Sequence, residues 1–170
     1  MTDVFADLDP APRSVTAGPW TRRALMLAMG VMVVLALLNA FGQKTAESEV
    51  RTADAVLRLS APATVRGGLF FQSRLDIRAV REIEHPRIVL DEGWVEGMQV
   101  NAIEPAAVSE ASRDGRVVLT YDALAAGDVL RVWFQFQVDP TNVGRRSYGV
   151  ELDDADRPLA RLSRSLTVLP

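Results

Sequence analysis

The sequence holds few of the side chains that acid–base, nucleophilic or metal chemistry needs. There is one histidine, His85, and there is no cysteine. His85 stands next to Pro86 in a turn, and one imidazole without a second nitrogen or sulfur ligand does not build a typical zinc site. The lack of cysteine also excludes disulfides, thiolate metal sites and cysteine nucleophiles. We therefore predict that His85 is a surface residue and that the protein has no cofactor.

Two other segments carry side chains that could act as a nucleophile or as metal ligands. In the segment 145–149, RRSYG, an arginine occupies the position of the first glycine of a nucleophile elbow, and no α/β pattern surrounds it. Asp153, Asp154 and Asp156 could hold calcium through oxygen atoms, yet they lack the loop spacing of an EF-hand. We predict no catalytic residue and no metal site, and hence a non-enzymatic protein. A hydrolase with an unrecognised site is the alternative.

Five polar and aromatic residues are candidates for binding a partner. Arg131, Trp133 and Gln135 occupy the expected outward face of a long strand, and an aromatic ring with a charged and amide rim is typical of an interface. Equally, Trp133 could lie under a loop or the edge of a second sheet. Arg145 and Arg146 are expected at a loop tip, where two guanidinium groups could pair with acidic residues or lipid headgroups. A solvated turn is the alternative for this pair.

These candidates belong to a chain that is organised around an apolar stretch at residues 24–43, ALMLAMGVMVVLALLNAFGQ, without a charged side chain. At about 1.5 Å of rise per residue, a helix of this length spans roughly 30 Å, the thickness of a bilayer's hydrocarbon core. Apolar residues on all sides leave no polar face for water. We predict a transmembrane helix over residues 21–43.

The residues that precede this stretch predict its orientation. Trp20 is an amphipathic ring suited to headgroup depth, and Arg22 and Arg23 are cations that prefer the cytoplasmic side. We predict a flexible cytoplasmic tail over residues 1–20 and a single pass through the cell membrane. The C-terminal domain is then extracytoplasmic.

An exported and cleaved chain is an alternative to a permanent anchor. The segment 21–25, TRRAL, resembles the twin-arginine export signal, and a cleavage site would lie near Leu38-Asn39-Ala40. Against cleavage, the apolar run is long for a signal peptide, and Leu38 stands where a small residue is expected. An uncleaved signal anchor is therefore favoured.

The charge of the chain restricts its partners. The formal net charge is -3, so no basic surplus exists to neutralise phosphates, and we exclude nucleic acid as a partner. The expected partners are the lipid bilayer and a protein of the membrane or envelope.

After the apolar stretch the hydrophobic period becomes two. Residues 44–52 are polar and read as a spacer, whereas 53–170 alternate between apolar and polar positions. Turn residues separate the runs, and no run keeps a helical period. We predict an all-β domain, an antiparallel immunoglobulin-like β-sandwich of seven or eight strands, preceded by one transmembrane α-helix. The runs are 53–59, 69–79, 87–90, 98–103, 116–121, 128–138, 147–152 and 160–168, with 128–138 expected at the centre of a sheet.

One region resembles a known class of module. Leu124, Ala126, Gly127 and Asp128 precede the long strand, and Asp139, Pro140 and Gly144 follow it. This order resembles the immunoglobulin-like modules of bacterial cell-surface proteins over roughly residues 53–168. The resemblance implies a sandwich fold, an extracytoplasmic setting and no substrate, since such modules serve as spacers, adhesive units or subunits of envelope complexes. We expect a sandwich that binds or scaffolds an envelope or membrane protein; the alternative is an accessory or sensing subunit of a membrane enzyme or transporter.

Overall fold

The computed structural model describes residues 18–37 and 44–170. The chain divides into two compact units, Met1–Gly42 and Gln43–Pro170. The predicted tail, apart from its last three residues, and the end of the predicted membrane segment, residues 38–43, lie outside the described residues.

The described part of the first unit is one helix, α1, over Gly18–Leu37. Its sequence is rich in Ala, Leu and Met, which favour helix, and Pro19 stands in the first turn, where its missing N–H costs no hydrogen bond. None of its residues is buried, and the helix is long and apolar enough to cross a membrane. It begins at Gly18, ahead of the predicted start at Thr21.

The second unit is built of short strands and one turn of 3-10 helix at Glu92–Trp94. The strands are, in chain order, β1 Thr45–Arg51, β2 Ala55–Pro62, β3 Thr64–Arg66, β4 Phe70–Ala79, β5 Pro86–Leu90, β6 Met98–Glu104, β7 Ser109–Arg113, β8 Arg116–Thr120, β9 Val129–Val138, β10 Gly144–Ser147, β11 Val150–Asp154, β12 Arg157–Leu162 and β13 Ser165–Leu169.

Three sheets arise from these strands. The first sheet has the order β1-β2-β4-β9-β6, and the second has the order β12-β11-β5-β8-β7; both are antiparallel. A small third sheet, β10-β13-β3, pairs β13 with β3 in parallel. The all-β sandwich and the single preceding helix are confirmed. The strand number is higher than predicted, because short pieces such as β3 and β7 have no apolar alternation of their own.

The core follows from the period of two. In β9, Val132, Phe134, Phe136 and Val138 are buried while the alternate residues face outward. Trp94 lies at the centre of the aromatic core, with its ring stacked on Tyr148 at a centroid distance of 3.9 Å and edge-on to Phe134 at 4.9 Å. These rings join the inner faces of the sheets into one core.

Two sequence predictions about the domain need correction. Residues 44–52 are not a spacer, since Thr45–Arg51 forms the edge strand β1, paired antiparallel with β2 from Thr45↔Pro62 to Arg51↔Val56. An edge strand exposed on one side needs few apolar residues, so its composition resembles that of a linker. The long strand β9 lies between β4 and β6, and the central strand of the first sheet is β4.

Candidate binding surface

The solvent-facing side of the first sheet, which we call the outer face, carries the candidate site. Side chains point to it from alternate positions of β2, β4 and β9, because the inward positions of those strands form the core. Arg131, Trp133 and Gln135 lie on the outer face, as the alternation in 128–138 predicted.

Trp133 is half-buried on this face rather than enclosed by the second sheet. Arg74 lies directly across the β4–β9 pairing, and its guanidinium carbon is 5.4 Å from the centroid of the Trp133 ring. A cation over an indole face is attracted by the ring quadrupole. The two side chains form one wall of a shallow hollow of about 250 Å³, whose lining is Thr45, Ser60, Pro62, Gln72, Arg74 and Trp133.

Arg131 is exposed and ion-paired with Asp76 of the neighbouring strand. Asp76 is also ion-paired with Arg74, with 3.0 Å between Arg74 Nε and Asp76 Oδ2, so one carboxylate pairs with two guanidinium groups. Arg131 and Asp76 border a second hollow of about 180 Å³, lined by Val56, Arg58, Asp76, Arg78, Val129 and Arg131. Three cations against one carboxylate make this part of the face electropositive.

Glu49 of β1 limits that positive charge at the edge of the face. It accepts hydrogen bonds from Arg58, with Nη2 at 2.5 Å and Nε at 2.8 Å, and it also pairs with Arg51. The Arg58 hydrogen bonds, and then the Arg51 one, lower the pKa of the Glu49 carboxyl. Glu49 and Arg58 are therefore both charged over the physiological range.

Gln135 is exposed and pairs in register with Gln72 of β4. Neither side-chain amide has a hydrogen-bond partner within the part of the chain that the structure describes. An amide both donates and accepts, so this pair offers unsatisfied groups of both kinds next to the Trp133 ring.

The structure does not place Arg145 and Arg146 at a loop tip. Both lie in β10, paired with β13, and neighbouring residues of a strand point to opposite sides. Arg145 is exposed and donates from Nε to Ser165 Oγ at 3.0 Å. Arg146 is half-buried and ion-paired with Glu96 at 2.7 Å. The two guanidinium groups do not form one site, and the shift arises because Gly144 belongs to the strand rather than to a turn.

The histidine and the three aspartates considered for chemistry lie near one another but are not arranged as a reactive group. His85 is exposed, and its backbone N–H donates to Asp154 Oδ1 at 2.9 Å. Asp156 is paired with Arg87 at 2.8 Å. Burial, and then the nearby Glu151, raise the pKa of Asp153. Among residues 18–37 and 44–170, no three His, Cys, Asp or Glu side chains are grouped to hold a metal ion. That the protein lacks metals, cofactors and catalysis remains a prediction.

The second sheet carries an ion-pair network of a structural kind. Asp91 is buried, and its Oδ2 accepts from Ser147 Oγ at 2.5 Å and from the Gly149 N–H at 3.1 Å. Arg116 bridges Asp91 and Glu151, at 3.4 Å and 2.8 Å. A buried carboxylate requires such partners, so these groups fix the β5–β11 region rather than offer a free site.

The residues predicted at a membrane interface lie at the start of α1. Trp20, Arg22 and Arg23 are all exposed, and Arg23 lies 5.8 Å from the Trp20 ring centroid. This places an aromatic ring and two cations together ahead of the apolar residues of the helix. Their position in a membrane stays a prediction.

No protein-family model and no curated protein sequence matches this chain. A non-cellulosomal cohesin from the archaeon Archaeoglobus fulgidus has a similar structure, with a TM-score of 0.43 and 12% identity, over 65% of this chain and 88% of the cohesin. The C-terminal domain of Wzt has a TM-score of 0.41 and 16% identity, over 76% of this chain and 81% of that domain. A GH20 exo-β-N-acetylglucosaminidase from Vibrio harveyi has a TM-score of 0.35 and 11% identity, over 61% of this chain and 16% of the enzyme. Similarity at this level assigns no function.

Sequence reasoning missed the partners of the candidate residues. The alternation in 69–79 places Gln72, Arg74, Asp76 and Arg78 on one side of their strand, but it does not identify them as neighbours of Trp133. The missing information is which strands pair, since antiparallel neighbours distant in sequence leave no local signal.

Proposed function

We propose that this chain is a non-enzymatic, single-pass membrane protein whose β-sandwich binds a protein of the membrane or cell envelope. The observation that carries the proposal is α1, whose apolar side chains are exposed on all sides with none buried. A helix that is apolar all round is stable in lipid and not in water. It is joined to a unit that has a complete core of its own.

The flanking residues support an orientation with the N-terminus in the cytoplasm. Arg22 and Arg23 precede the apolar residues of α1, and cations close to a membrane helix favour the cytoplasmic side. Trp20 suits the headgroup layer at that side. The sandwich, which follows the helix, is then extracytoplasmic.

The outer face supports binding through its residue types. Trp and Arg dominate the energetics of protein interfaces. Trp133, Arg74 and Arg131 provide both residue types at half-buried or exposed positions of the outer face. The hollow between Arg58, Arg78 and Arg131 suits a partner segment with acidic and small apolar side chains, because Val56 and Val129 also line it.

Photo-crosslinking of the full chain in its native membranes tests this proposal. A photoreactive residue at Gln135, on the outer face, should form a discrete protein adduct. The same residue at Ser112, on an exposed strand of the second sheet, should not. Equal adducts at both positions, or none at Gln135, would overturn the outer face as the binding surface.

Alanine substitutions on the outer face show whether its side chains contribute to binding. Trp133→Ala and Arg131→Ala should each reduce the Gln135 adduct, while Arg113→Ala should leave it unchanged, since Arg113 is a comparably exposed arginine on the second sheet. An adduct that is indifferent to Trp133 and Arg131 would argue against the outer face.

Replacing residues 24–37 by an unrelated apolar span separates an anchor from an intramembrane subunit. If the adduct survives the replacement, α1 only tethers the sandwich. If the adduct is lost while the chain remains in the membrane, the accessory-subunit function is favoured and the sandwich is not sufficient for binding.

A further inference from the structure

Large apolar side chains are exposed at one end of the sandwich. Leu69, Phe70, Val143 and Leu169 are 46%, 66%, 53% and 41% exposed. They come from three separate segments: the β3–β4 turn, the loop before β10, and the end of β13. We call these four side chains, together with Arg66 and Arg145, the apolar rim.

Backbone hydrogen bonds hold the three segments together. The Gly67 N–H donates to the Leu169 carbonyl at 2.9 Å, and the Gly68 N–H donates to the Val138 carbonyl at 2.8 Å. A Cβ on Gly67 would lie 2.8 Å from the Pro140 carbonyl oxygen, so the turn packs closely against the loop that leads to Val143. The apolar rim is therefore one continuous surface.

The apolar rim is cationic. Arg66 pairs in register with Leu169, and Arg145 with Thr167 one strand further. Both guanidinium groups are exposed, and neither has a carboxylate partner among residues 18–37 and 44–170. Asp139 in the neighbouring loop offsets one of these charges, and Lys44 adds another cation just before β1.

The start of β1 shows at which end of the sandwich the described chain enters the domain. Thr45, the first residue of β1, pairs with Pro62, the last residue of β2. The pairing of β2 with β4 places Phe70 beyond Pro62 at the same end of the sheet. β1 therefore runs away from the apolar rim. Lys44, which precedes Thr45, is therefore at the rim end of the sandwich. Six residues separate Leu37 from Lys44, a link that reaches at most about 25 Å.

We propose that the apolar rim docks on the headgroup layer of the membrane in which α1 is anchored. This inference rests on the proposed anchor and goes beyond it. Phe70, Leu69, Val143 and Leu169 would enter the interface, where aromatic and aliphatic side chains lose exposure to water. Arg66 and Arg145 would pair with lipid phosphates. The sandwich is then held against the bilayer in one orientation.

Fluorescence quenching in nanodiscs tests the docking. The chain has no cysteine, so one introduced cysteine takes an environment-sensitive dye without background. The probe position is Thr141→Cys, exposed in the loop of the apolar rim. The control is Ala126→Cys, in a turn whose Gly127 N–H bonds to the Ala79 carbonyl at the opposite end of β4. Each full-length chain is placed singly in nanodiscs that contain a headgroup nitroxide lipid.

We expect quenching at Thr141→Cys and none at Ala126→Cys, with stronger quenching when phosphatidylglycerol is added to phosphatidylcholine. Equal quenching at both positions, or at neither, would overturn the docking while the anchor stands. A chain that does not remain in the nanodisc would overturn the anchor and the docking together. With one chain per disc, a second copy of this chain cannot be the occupant of the apolar rim.

Matched variants identify the side chains responsible. Phe70→Ser combined with Leu169→Ser should abolish most of the Thr141→Cys quenching, whereas Val80→Ser, 48% exposed at the opposite end, should not. Arg66→Gln should weaken docking on anionic discs about fivefold, while Arg81→Gln should have no effect. Near-UV circular dichroism confirms that each variant is folded. Quenching that persists in the double variant of a folded chain would contradict the inference.

Discussion

The guanidinium carbon of Arg74 lies 5.4 Å from the ring centroid of Trp133, while Arg74 Nε pairs with Asp76 at 3.0 Å. Asp76 therefore holds the cation over the indole ring. Because both residues are partly solvated, we expect a coupling free energy of about 0.5–1 kcal/mol between Arg74→Ala and Trp133→Ala. A double-mutant cycle on the full chain in mild detergent, unfolded with denaturant, measures it. Strictly additive losses would show that the contact contributes nothing.

A buried hydrogen bond should be more sensitive than this surface contact. Ser73 Oγ and the Tyr148 hydroxyl lie 2.8 Å apart, and both residues are buried. Tyr148→Phe leaves the Ser73 hydroxyl without a partner, so it should reduce the free energy of unfolding by about 1–3 kcal/mol.

The double variant Tyr148→Phe with Ser73→Ala is the control for this prediction. It removes both polar groups, and we expect it to lose less stability than the sum of the two single variants. A double variant as unstable as that sum would mean that packing, and not the hydrogen bond, accounts for the loss.

The raised pKa values of the two tyrosines of the sandwich predict that the domain loses stability at high pH. Burial raises the pKa of Tyr148 well above its usual value, and burial, with a smaller contribution from Glu110, raises the pKa of Tyr121 to about 12. The folded state thus keeps protons that the unfolded chain releases near pH 10.0, the ordinary tyrosine value. This stability is fully present below that pH and is lost as the pH rises through the folded-state pKa.

Denaturant midpoints measured from neutral pH to above the ordinary tyrosine pKa test this sign. Tyr121→Phe should show a shallower decline than the wild type, because phenylalanine cannot ionise. If the denaturant midpoints of the two proteins fall with pH at the same rate, ionisation of Tyr121 does not contribute to the loss of stability.

Gly93 should tolerate no side chain. A Cβ there would lie 2.0 Å from the Ser147 carbonyl oxygen and 3.0 Å from its carbon, both backbone atoms. Gly93→Ala should therefore cost about 1–3 kcal/mol or more, because the 3-10 turn or β10 must move. Glu92→Ala, in the same turn, is the control and should be close to neutral. A stable Gly93→Ala protein would show that the turn can shift freely.

The contrast between β9 and β1 explains how much of this structure the sequence can predict. In β9 every second side chain is apolar, so its inward residues, its outward Trp133 and the sandwich class all follow from the alternation. In β1 the strand is defined by backbone pairing with β2 and by pairs such as Glu49 with Arg58, which TAESEVR does not reveal.

The sequence likewise predicts only part of the candidate binding surface. The outward direction of Trp133 is a local property of its strand, whereas the position of Arg74 above it depends on the pairing of β4 with β9. Arg145 and Arg146 were expected at a loop tip, but the pairing with β13 extends β10 from Gly144 to Ser147, and the local sequence does not reveal that pairing.

Asp153 should be a residue that weakens the fold at neutral pH. Its Oδ1 atom is buried without a hydrogen-bond partner, and burial together with Glu151 raises the pKa of its carboxyl, against the opposing effect of Arg87 and Arg116. A folded-state pKa above the unfolded value means that the related stability is present at acid pH and lost as the pH rises through it. Asp153→Asn should therefore raise the free energy of unfolding at neutral pH by less than about 1 kcal/mol, because the group is partly solvated.

The pH dependence distinguishes this electrostatic cause from a packing effect. The advantage of Asp153→Asn should disappear below the ordinary aspartate pKa, 3.8, where the wild-type carboxyl is protonated in both states. Asp156→Asn is the matched control, since Asp156 is largely exposed and paired with Arg87, and it should be neutral or slightly destabilising. A gain in the Asp153 variant that persists unchanged at acid pH would show that the new amide packs or bonds better, and that the charge of Asp153 is not what weakens the wild-type fold.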